Sequence, residues 1–217
     1  AVAAGEDFRF GCGGRGGIEL LHSKGHQWGI DMVEVVDSVV VEGAKVSSTR
    51  IRGLLEAGMV EDAGRLLGRP YRLSGQVVEG EGRGRELGFP TANLAVAPER
   101  LMPKDGVYAV TVRHLTDNRQ KGHAPSQRGF LGVLSISNKP TFAGKSRAVE
   151  VHVLEQDADY YGKRLVVSFH TRLRPIHRFD NAEKLQEQIV RDIQVARKLS
   201  MRLERGPIER IYTLGAL

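Results

Sequence analysis

Polar and apolar positions alternate with a period of two across the middle of the chain. Five runs show this alternation, which is the pattern of half-buried β-strands. The runs cover residues 71–79, 107–115, 130–136, 148–155 and 165–173. Short strands with polar or glycine-rich connections predict an antiparallel barrel or sandwich. We expect a solvated basic loop at 116–128 and a hairpin connection at 157–162.

A helical period follows the last of these strands. Four apolar residues share one helix face: Leu185, Ile189, Ile193 and Ala196. Asp180 is predicted to cap this helix, with Glu183 completing a capping box. We expect the apolar face to pack on the barrel, and a helix that binds a partner protein is the alternative. The pattern is lost near residue 200, so residues 201–217 are predicted to be a tail.

A shorter helical pattern at residues 60–67 closes the first part of the chain. Gly68 has the position of a helix C-terminal glycine, and Pro70 follows it as a stop. We therefore divide the chain into segments 1–68, 69–200 and 201–217. In the first segment, residues 18–21 are predicted to begin a helix, and the valine-rich residues 32–41 to form one or two strands.

The first segment also contains the run Ser47-Ser48-Thr49-Arg50-Ile51-Arg52. Ser47 or Ser48 is predicted to cap the helix that follows, by accepting a hydrogen bond from a free backbone N–H. Hydroxyls and arginines at a helix N-terminus also suit a phosphate group. Both interpretations, a capped surface helix and a phosphate site, are open from the residues alone.

Charge and cysteine content limit the classes of function. The net charge of +6 favours anionic partners, for which nucleotides would suffice. The basic residues are dispersed rather than gathered with aromatic ones, so we expect no nucleic-acid partner. Cys12 is the only cysteine, which excludes an internal disulfide and fits a cytoplasmic protein. We also expect no membrane span, because no apolar run approaches about 18 residues.

The most distinctive stretch is residues 80–93, with four glycines, two arginines and a predicted turn over the ending Pro-Thr-Ala-Asn. Glycines let a ligand approach the backbone, and successive N–H groups can form a concave anion site. Thr91 and Asn93 supply neutral oxygens of the kind that Mg²⁺ accepts beside phosphates. The stretch predicts a site for a magnesium-bound nucleotide. Arg85 stands where the dinucleotide fingerprint requires its third glycine, which excludes that motif.

Residues 80–93 resemble the ATP-binding signature of riboflavin kinases, and most of the chain resembles the bacterial enzymes that fuse riboflavin kinase to FMN adenylyltransferase. The resemblance implies an α+β protein. Its main part would be a Greek-key antiparallel β-barrel of about six strands with a C-terminal helix. A partial Rossmann-like α/β nucleotidyltransferase segment would precede the barrel. The implied activity is phosphate transfer from ATP to riboflavin, with FMN as product.

The resemblance also implies roles for particular residues. Riboflavin kinases use a glutamate in a strand reading Glu-x-His as general base, and Glu150 matches it. His152 is expected only to flank the site. The glycine stretch would cover the ATP phosphates with Gly82, Arg83 and Gly84, while Thr91 and Asn93 would bind the phosphates and Mg²⁺.

On the flavin side, the resemblance implicates Arg174 and Phe179, in the segment before the C-terminal helix. The chain departs from the bacterial pattern in two places. Residues 135–142 read Ser-Ile-Ser-Asn-Lys-Pro-Thr-Phe, with Lys139 where bacterial members often carry arginine. The acidic residue that is frequent between Arg174 and Phe179 is also missing, which we expect to weaken flavin affinity.

The first segment resembles the later part of the adenylyltransferase domain through Asp-Phe-Arg-Phe-Gly at residues 7–11 and through Ser47, Ser48, Thr49 and Arg50. The early histidine motif of that domain has no counterpart in the sequence. We therefore expect an N-terminally truncated domain that has lost adenylyltransferase activity and whose incomplete sheet self-associates. A bifunctional enzyme that also makes FAD is an alternative, as is a non-catalytic flavin-binding or RNA-binding barrel.

Overall fold

The computed structural model describes residues 1–80, 82–114, 129–141, 144–156 and 158–205. These residues form two compact units, Ala1–Ser47 and a second that begins at Ser48. The predicted basic loop at 116–128 and most of the predicted tail lie outside the described residues. The division differs from the boundary at residue 68 predicted from the sequence.

The first unit contains a β-α-β arrangement. Two short strands pair in parallel, with Val2 opposite Val33 and Gly5 opposite Val36, and a helix lies between them in sequence. The helix predicted from residue 18 and the strands predicted within 32–41 are therefore confirmed. A small antiparallel pair completes the unit. The elements are β1 (Val2–Gly5), α1 (Ile18–Lys24), β2 (Val33–Val36), β3 (Val40–Val41) and β4 (Ala44–Lys45).

The second unit is built on a closed six-stranded barrel, in the order β10-β5-β6-β9-β8-β7. Every neighbouring pair is antiparallel. Alternate side chains fill the interior, as the period of two predicted, and these include Val110, Val151 and Phe169 at 0% exposure. The strands are β5 (Arg72–Val78), β6 (Ala92–Val96), β7 (Gly106–His114), β8 (Phe130–Thr141), β9 (Gly144–Val153) and β10 (Arg164–Arg174).

Strand β6 is the one barrel strand that the apolar pattern missed. The sequence predicted a turn over Pro-Thr-Ala-Asn, but Ala92 and Asn93 begin a strand instead. The strand is only five residues long, and Leu94 is its only fully buried side chain, so the alternation is too brief to recognise. Its register with β9 covers just two residue pairs, Ala92 with Val151 and Asn93 with Glu150.

Two helices precede the barrel and share its core. They are α2 (Ser48–Ala57) and α3 (Val60–Leu67), and Leu55, Val60 and Ala63 belong to the buried barrel cluster. This shared core explains why the compact unit begins before residue 68. Gly68 ends α3 in the left-handed conformation at φ 64°, which confirms the predicted helix stop.

The C-terminal helix α5 (Ala182–Arg205) packs on β8 and β10. Ile193 and Ala196 are buried, which confirms the predicted apolar face. The predicted cap was wrong by one residue: Asn181 Oδ1 accepts a hydrogen bond from Lys184 N at 2.9 Å, while Asp180 pairs with the Lys184 side chain. The helix also continues to Arg205, into the predicted tail.

Candidate active site

A cleft of about 620 Å³ opens where β5 and β9 flank the short β6. The core residues Val77, Val151 and Val153 contribute an apolar part of its lining. The rest comes from the end of β5 with Glu79, from the glycine stretch and from the connection between β9 and β10. The other lining residues are Val78, Glu79, Gly80, Gly82, Arg85, Pro90, Thr91, Ala92, Asn93, Gln156, Ala158, Asp159, Tyr160 and Tyr161.

The glycine stretch folds closely onto the strand that follows it. A Cβ on Gly80 would overlap the side-chain amide of Asn93, and a Cβ on Gly84 would lie 2.5 Å from the Phe89 carbonyl oxygen and 3.1 Å from Thr91 Oγ1. At Gly84 a side chain would collide with backbone, and at Gly80 it would displace the Asn93 side chain, so close approach favours glycine at both positions. The predicted grouping of glycines with Thr91 and Asn93 is present in the structure.

Part of the stretch is helical where the sequence predicted an open phosphate loop. Arg83–Glu86 form the single-turn helix α4, which Gly82 enters with φ +74°. Gly82 lines the cleft; Gly84 does not, although it packs against Thr91, which does. The structure describes the backbone of Arg83 but not its side chain. Of the two arginines in this stretch, Arg85 is one whose position is described, and it lines the cleft.

Glu150 lies on the outer face of β9, beside the cleft. Val149 and Val151 on either side of it are buried in the barrel, so the predicted alternation of this strand is confirmed. Across the sheet Glu150 is paired with Asn93 on one side and with Ser135 on the other. Directly opposite residues of an antiparallel pair carry their side chains on the same face. The half-buried carboxyl group is thus next to Asn93, a cleft residue.

His152, two residues beyond Glu150, touches the glycine stretch directly. Its Nδ1 lies 2.8 Å from the carbonyl oxygen of Pro90. Its ring meets the ring of Phe89 edge-on, with centroids 5.7 Å apart. The sequence predicted only a flanking position for this residue, because nothing in the spacing Glu-x-His shows what the imidazole would contact.

The opposite wall of the cleft was not predicted. The sequence indicated only a hairpin connection there, yet Asp159, Tyr160 and Tyr161 line the cleft together with residues of the glycine stretch. Partial desolvation, followed by the charge and the hydrogen bond of Glu79, raises the pKa of the Tyr161 hydroxyl above its usual range, although 55% of the residue is exposed. In the sequence, the signal that this connection lines a cleft was the pair of adjacent tyrosines among polar residues, since tyrosine combines an apolar ring with a polar hydroxyl.

The expected flavin-side residues, Arg174 and Phe179, are not among the residues that line the cleft. Arg174 forms an ion pair with Asp192 of α5, with Nη2 to Oδ2 at 2.8 Å, and only 15% and 6% of the two side chains are exposed. The Arg174 guanidinium also lies 5.7 Å from the centre of the Phe179 ring. Arg174 and Phe179 are thus brought together, with Asp192 as a partner that sequence reasoning missed.

The bacterial-type segment 135–142 is only partly described. Asn138 donates a hydrogen bond to Asp105 at 2.6 Å, and Arg147 on the neighbouring strand forms an ion pair with the same carboxylate at 2.6 Å. The side chain of Lys139 lies outside the description. Asp105 therefore ties β8 and β9 to the segment that leads into β7.

The adenylyltransferase-like residues fall in both compact units. Within the first unit, Lys45 forms an ion pair with Asp7 at 2.8 Å, and its hydrogen bond and charge hold the pKa of Asp7 below the usual range. The rings of Phe8 and Phe10 stack at 5.8 Å. Ser47 ends this unit, whereas Ser48, Thr49 and Arg50 form the first turn of α2 in the second.

For metal binding the cleft offers few side-chain oxygens, among them the carboxylates of Glu79 and Asp159. The described residues include no group of three or more His, Cys, Asp or Glu side chains arranged to hold a metal ion. Thr91 and Asn93 each offer one oxygen at the cleft. Such a sparse donor set suits a hard cation that keeps waters and shares phosphate oxygens with a nucleotide.

Two family models match the chain. The model described as riboflavin kinase matches residues 67–200, which include the whole barrel and most of α5. The model described as FAD synthetase matches residues 1–50. The first match covers more than half of the chain.

Curated relatives carry both names together. The bifunctional riboflavin kinase/FMN adenylyltransferase of Pseudomonas fluorescens is 39% identical over 200 residues, covering 92% of this chain and 60% of that protein. The Escherichia coli K12 protein of the same name is 36% identical over 197 residues, covering 91% and 59%. The chain thus spans about three fifths of the length of these relatives.

A solved structure is also similar. It is described as a macrolide-efflux protein from Streptococcus pneumoniae, with a TM-score of 0.74 and 35% identity, covering 89% of this chain and 58% of that one. Its name describes efflux, whereas the family models and curated relatives describe flavin chemistry. Among the residues described here, none of the helices has the length and apolar character needed to cross a membrane.

Proposed function

The chain belongs to the riboflavin kinase family, and from this we propose that it transfers the γ-phosphate of ATP to the 5′-hydroxyl of riboflavin, giving FMN and ADP. The observation that carries the proposal is the pairing of Asn93 with Glu150 across β6 and β9. It sets a candidate base next to a candidate metal and phosphate ligand. The cleft beside them is bordered by the glycine stretch.

Glu150 is the proposed general base. The 5′-oxygen of riboflavin forms a bond to the γ-phosphorus, and the bond from that phosphorus to the β,γ-bridging oxygen breaks. The hydroxyl proton passes to the Glu150 carboxylate, and ADP leaves with the bridging electrons. A positioned base of this kind contributes on the order of 10²–10⁴-fold to the rate.

The remaining catalysis would come from positioning and charge neutralisation, as is general for phosphate transfer. Gly80, Gly82 and Arg85 border the volume in which we place the phosphates. Thr91 and Asn93 would hold a divalent cation, for which we propose Mg²⁺. When bound with ATP, the cation would neutralise charge that develops on the phosphate oxygens.

Arg174 and Phe179 are proposed to serve the flavin side. Because Arg174 is already held by Asp192, its contribution would be to fix the segment that follows it. Phe179 then supplies an aromatic surface beside that segment. We propose riboflavin, ATP and FMN as the small-molecule partners, with no nucleic acid. We place the kinase activity in the barrel and its C-terminal helix.

One incubation tests the proposal. The chain is incubated with riboflavin, ATP and Mg²⁺, and riboflavin, FMN and FAD are separated by chromatography. We expect FMN without FAD. Absence of FMN under conditions in which the protein is folded by circular dichroism would overturn the kinase assignment. FAD in the same reaction would show that the first unit supports adenylyl transfer as well.

A further inference from the structure

We propose that His152 is a positioning residue of this site, which fixes the Pro90 carbonyl and through it the place of Thr91. The inference rests on the kinase function proposed above. His152 would act through the backbone of the glycine stretch and would not contact either substrate.

The contacts of the imidazole define that role. The Nδ1–Pro90 oxygen distance is 2.8 Å, and a carbonyl oxygen can only accept, so Nδ1 carries the hydrogen and donates it. The ring also packs edge-on against Phe89 at an interplanar angle of 87°. One side chain thus holds two successive residues of the segment, one by a directional hydrogen bond and one by ring packing.

The backbone around Pro90 needs such a contact. Proline has no N–H to donate to a strand ladder. The described register between β6 and β9 begins at Ala92 and Val151, so the ladder does not reach Pro90. The His152 side chain bonds Pro90 where the ladder is missing. Thr91, between Pro90 and Ala92, is thereby held on both sides.

The hydrogen bond from His152 to Pro90 also connects the glycine stretch to the strand that carries Glu150, the proposed base. Glu150 and His152 are two residues apart on β9, so their side chains lie on the same face of one strand. A shift of the strand would move both together. The glycine stretch has a second anchor at Leu87, whose carbonyl oxygen accepts a hydrogen bond from Gln186 of α5 at 3.2 Å. His152 is the anchor adjacent to Thr91.

Two substitutions separate the hydrogen bond from the ring. Asparagine places its amide nitrogen near the position of Nδ1 and can still donate to Pro90, whereas glutamine places it near Nε2. Both lose the ring. We expect His152→Gln to raise the KM for MgATP by about tenfold, the equivalent of one hydrogen bond near 1.4 kcal/mol, with the KM for riboflavin within about twofold. His152→Asn should restore most of the loss.

A second measurement does not depend on turnover. Backbone amides of residues 84–89 and 91 should exchange hydrogen faster in His152→Gln than in His152→Asn. If the wild-type chain makes no FMN, the kinase function fails while the exchange comparison still tests His152. Equal exchange and equal KM for MgATP in the two variants would overturn the proposal. His26→Asn, at a 92% exposed side chain of the first unit, is the control and should match wild type in both measurements.

Discussion

Glu150 lies directly opposite Asn93, and this is one of only two residue pairs that join β9 to β6. The register gives the two side chains a common face and a short separation without any loop between them. Sites supported by strands are held more precisely than sites on loops. The relative position of the two side chains is therefore set by the strand register and not by a loop.

Glu150→Gln should keep the fold and lose the base. We expect kcat to fall by about 10²–10⁴-fold, because the amide cannot accept the riboflavin proton. The affinity for MgATP, measured by calorimetry, should stay within about threefold. Glu99→Gln, at an exposed site outside the cleft lining, is the matched control. Turnover of the Glu150 variant at the control's rate would exclude Glu150 as the base.

Gly80→Ala should damage the site through a clash. The added methyl group would occupy the space of the Asn93 amide, so Asn93 must move. We expect at least a tenfold loss in kcat/KM for MgATP, since about 1 Å of misplacement can cost on that order or more. Gly53→Ala is the control: nothing lies within 4 Å of its added Cβ, and Gly53 is inside α2.

The control has its own expected result. Alanine in a helix interior is about 0.5–1 kcal/mol more favourable than glycine, so Gly53→Ala should raise the thermal midpoint and leave kinetics unchanged. A Gly80→Ala protein with normal kinetics would show that Asn93 tolerates displacement.

Asp192→Asn should destabilise the second unit strongly. The substitution leaves Arg174 largely buried without its counter-charge, which typically costs about 3–5 kcal/mol. Asp180→Asn removes the partner of Lys184 in an exposed pair, with 59% and 83% of the side chains accessible, and should cost only about 0–1 kcal/mol. Urea unfolding midpoints with unchanged slopes would measure both. Similar midpoints for the two variants would contradict a structural role for the buried pair.

His170 should make folding sensitive to acid. Burial lowers the pKa of its imidazole from an ordinary 6.5 to about 4. The unfolded chain therefore takes up this proton more readily, and the contribution of His170, complete above pH 6.5, is lost as the pH falls toward 4. Each pH unit in that window corresponds to about 1.4 kcal/mol or less.

The matched variant for this test is His170→Gln, which retains a polar side chain near Thr111, the residue that His170 Nε2 contacts at 3.0 Å. Urea unfolding at pH 7 and pH 5 should show a larger loss of stability in wild type than in the variant. Equal losses would show that acid destabilisation comes from other groups.

Regular alternation made the barrel largely predictable. Strand β9 places Val149, Val151 and Val153 inside and Glu150 outside, and this could be read directly from the sequence. Strand β6 could not, because its pairing with two neighbours, rather than its own five residues, makes it a strand. The core that α3 shares with the barrel was missed for a related reason, since periodicity shows that a face is apolar but not what covers it.

The part of the candidate site that could be predicted from the sequence is the glycine-rich motif, because close packing against the backbone favours glycine. Close packing against Asn93 and Phe89 favours glycine at Gly80 and Gly84, and Thr91 and Asn93 belong to the same motif. Asp192 and Tyr161 were not predictable, because their partners are distant in the chain. The pairing of Arg174 with Asp192 depends on how α5 docks, which no local pattern specifies.

The short β6–β9 register links the stability of the barrel to the width of the cleft. With only two residue pairs, β6 and β9 form the shortest strand pairing in the barrel. Pro90, just before it, has no N–H to donate and cannot extend the pairing. Substitutions that lengthen the pairing of β6 with β9 would narrow the cleft beside β6 and leave the other strands unchanged. A residue at position 90 that added a strand hydrogen bond would therefore strengthen the barrel and narrow the cleft at the same time.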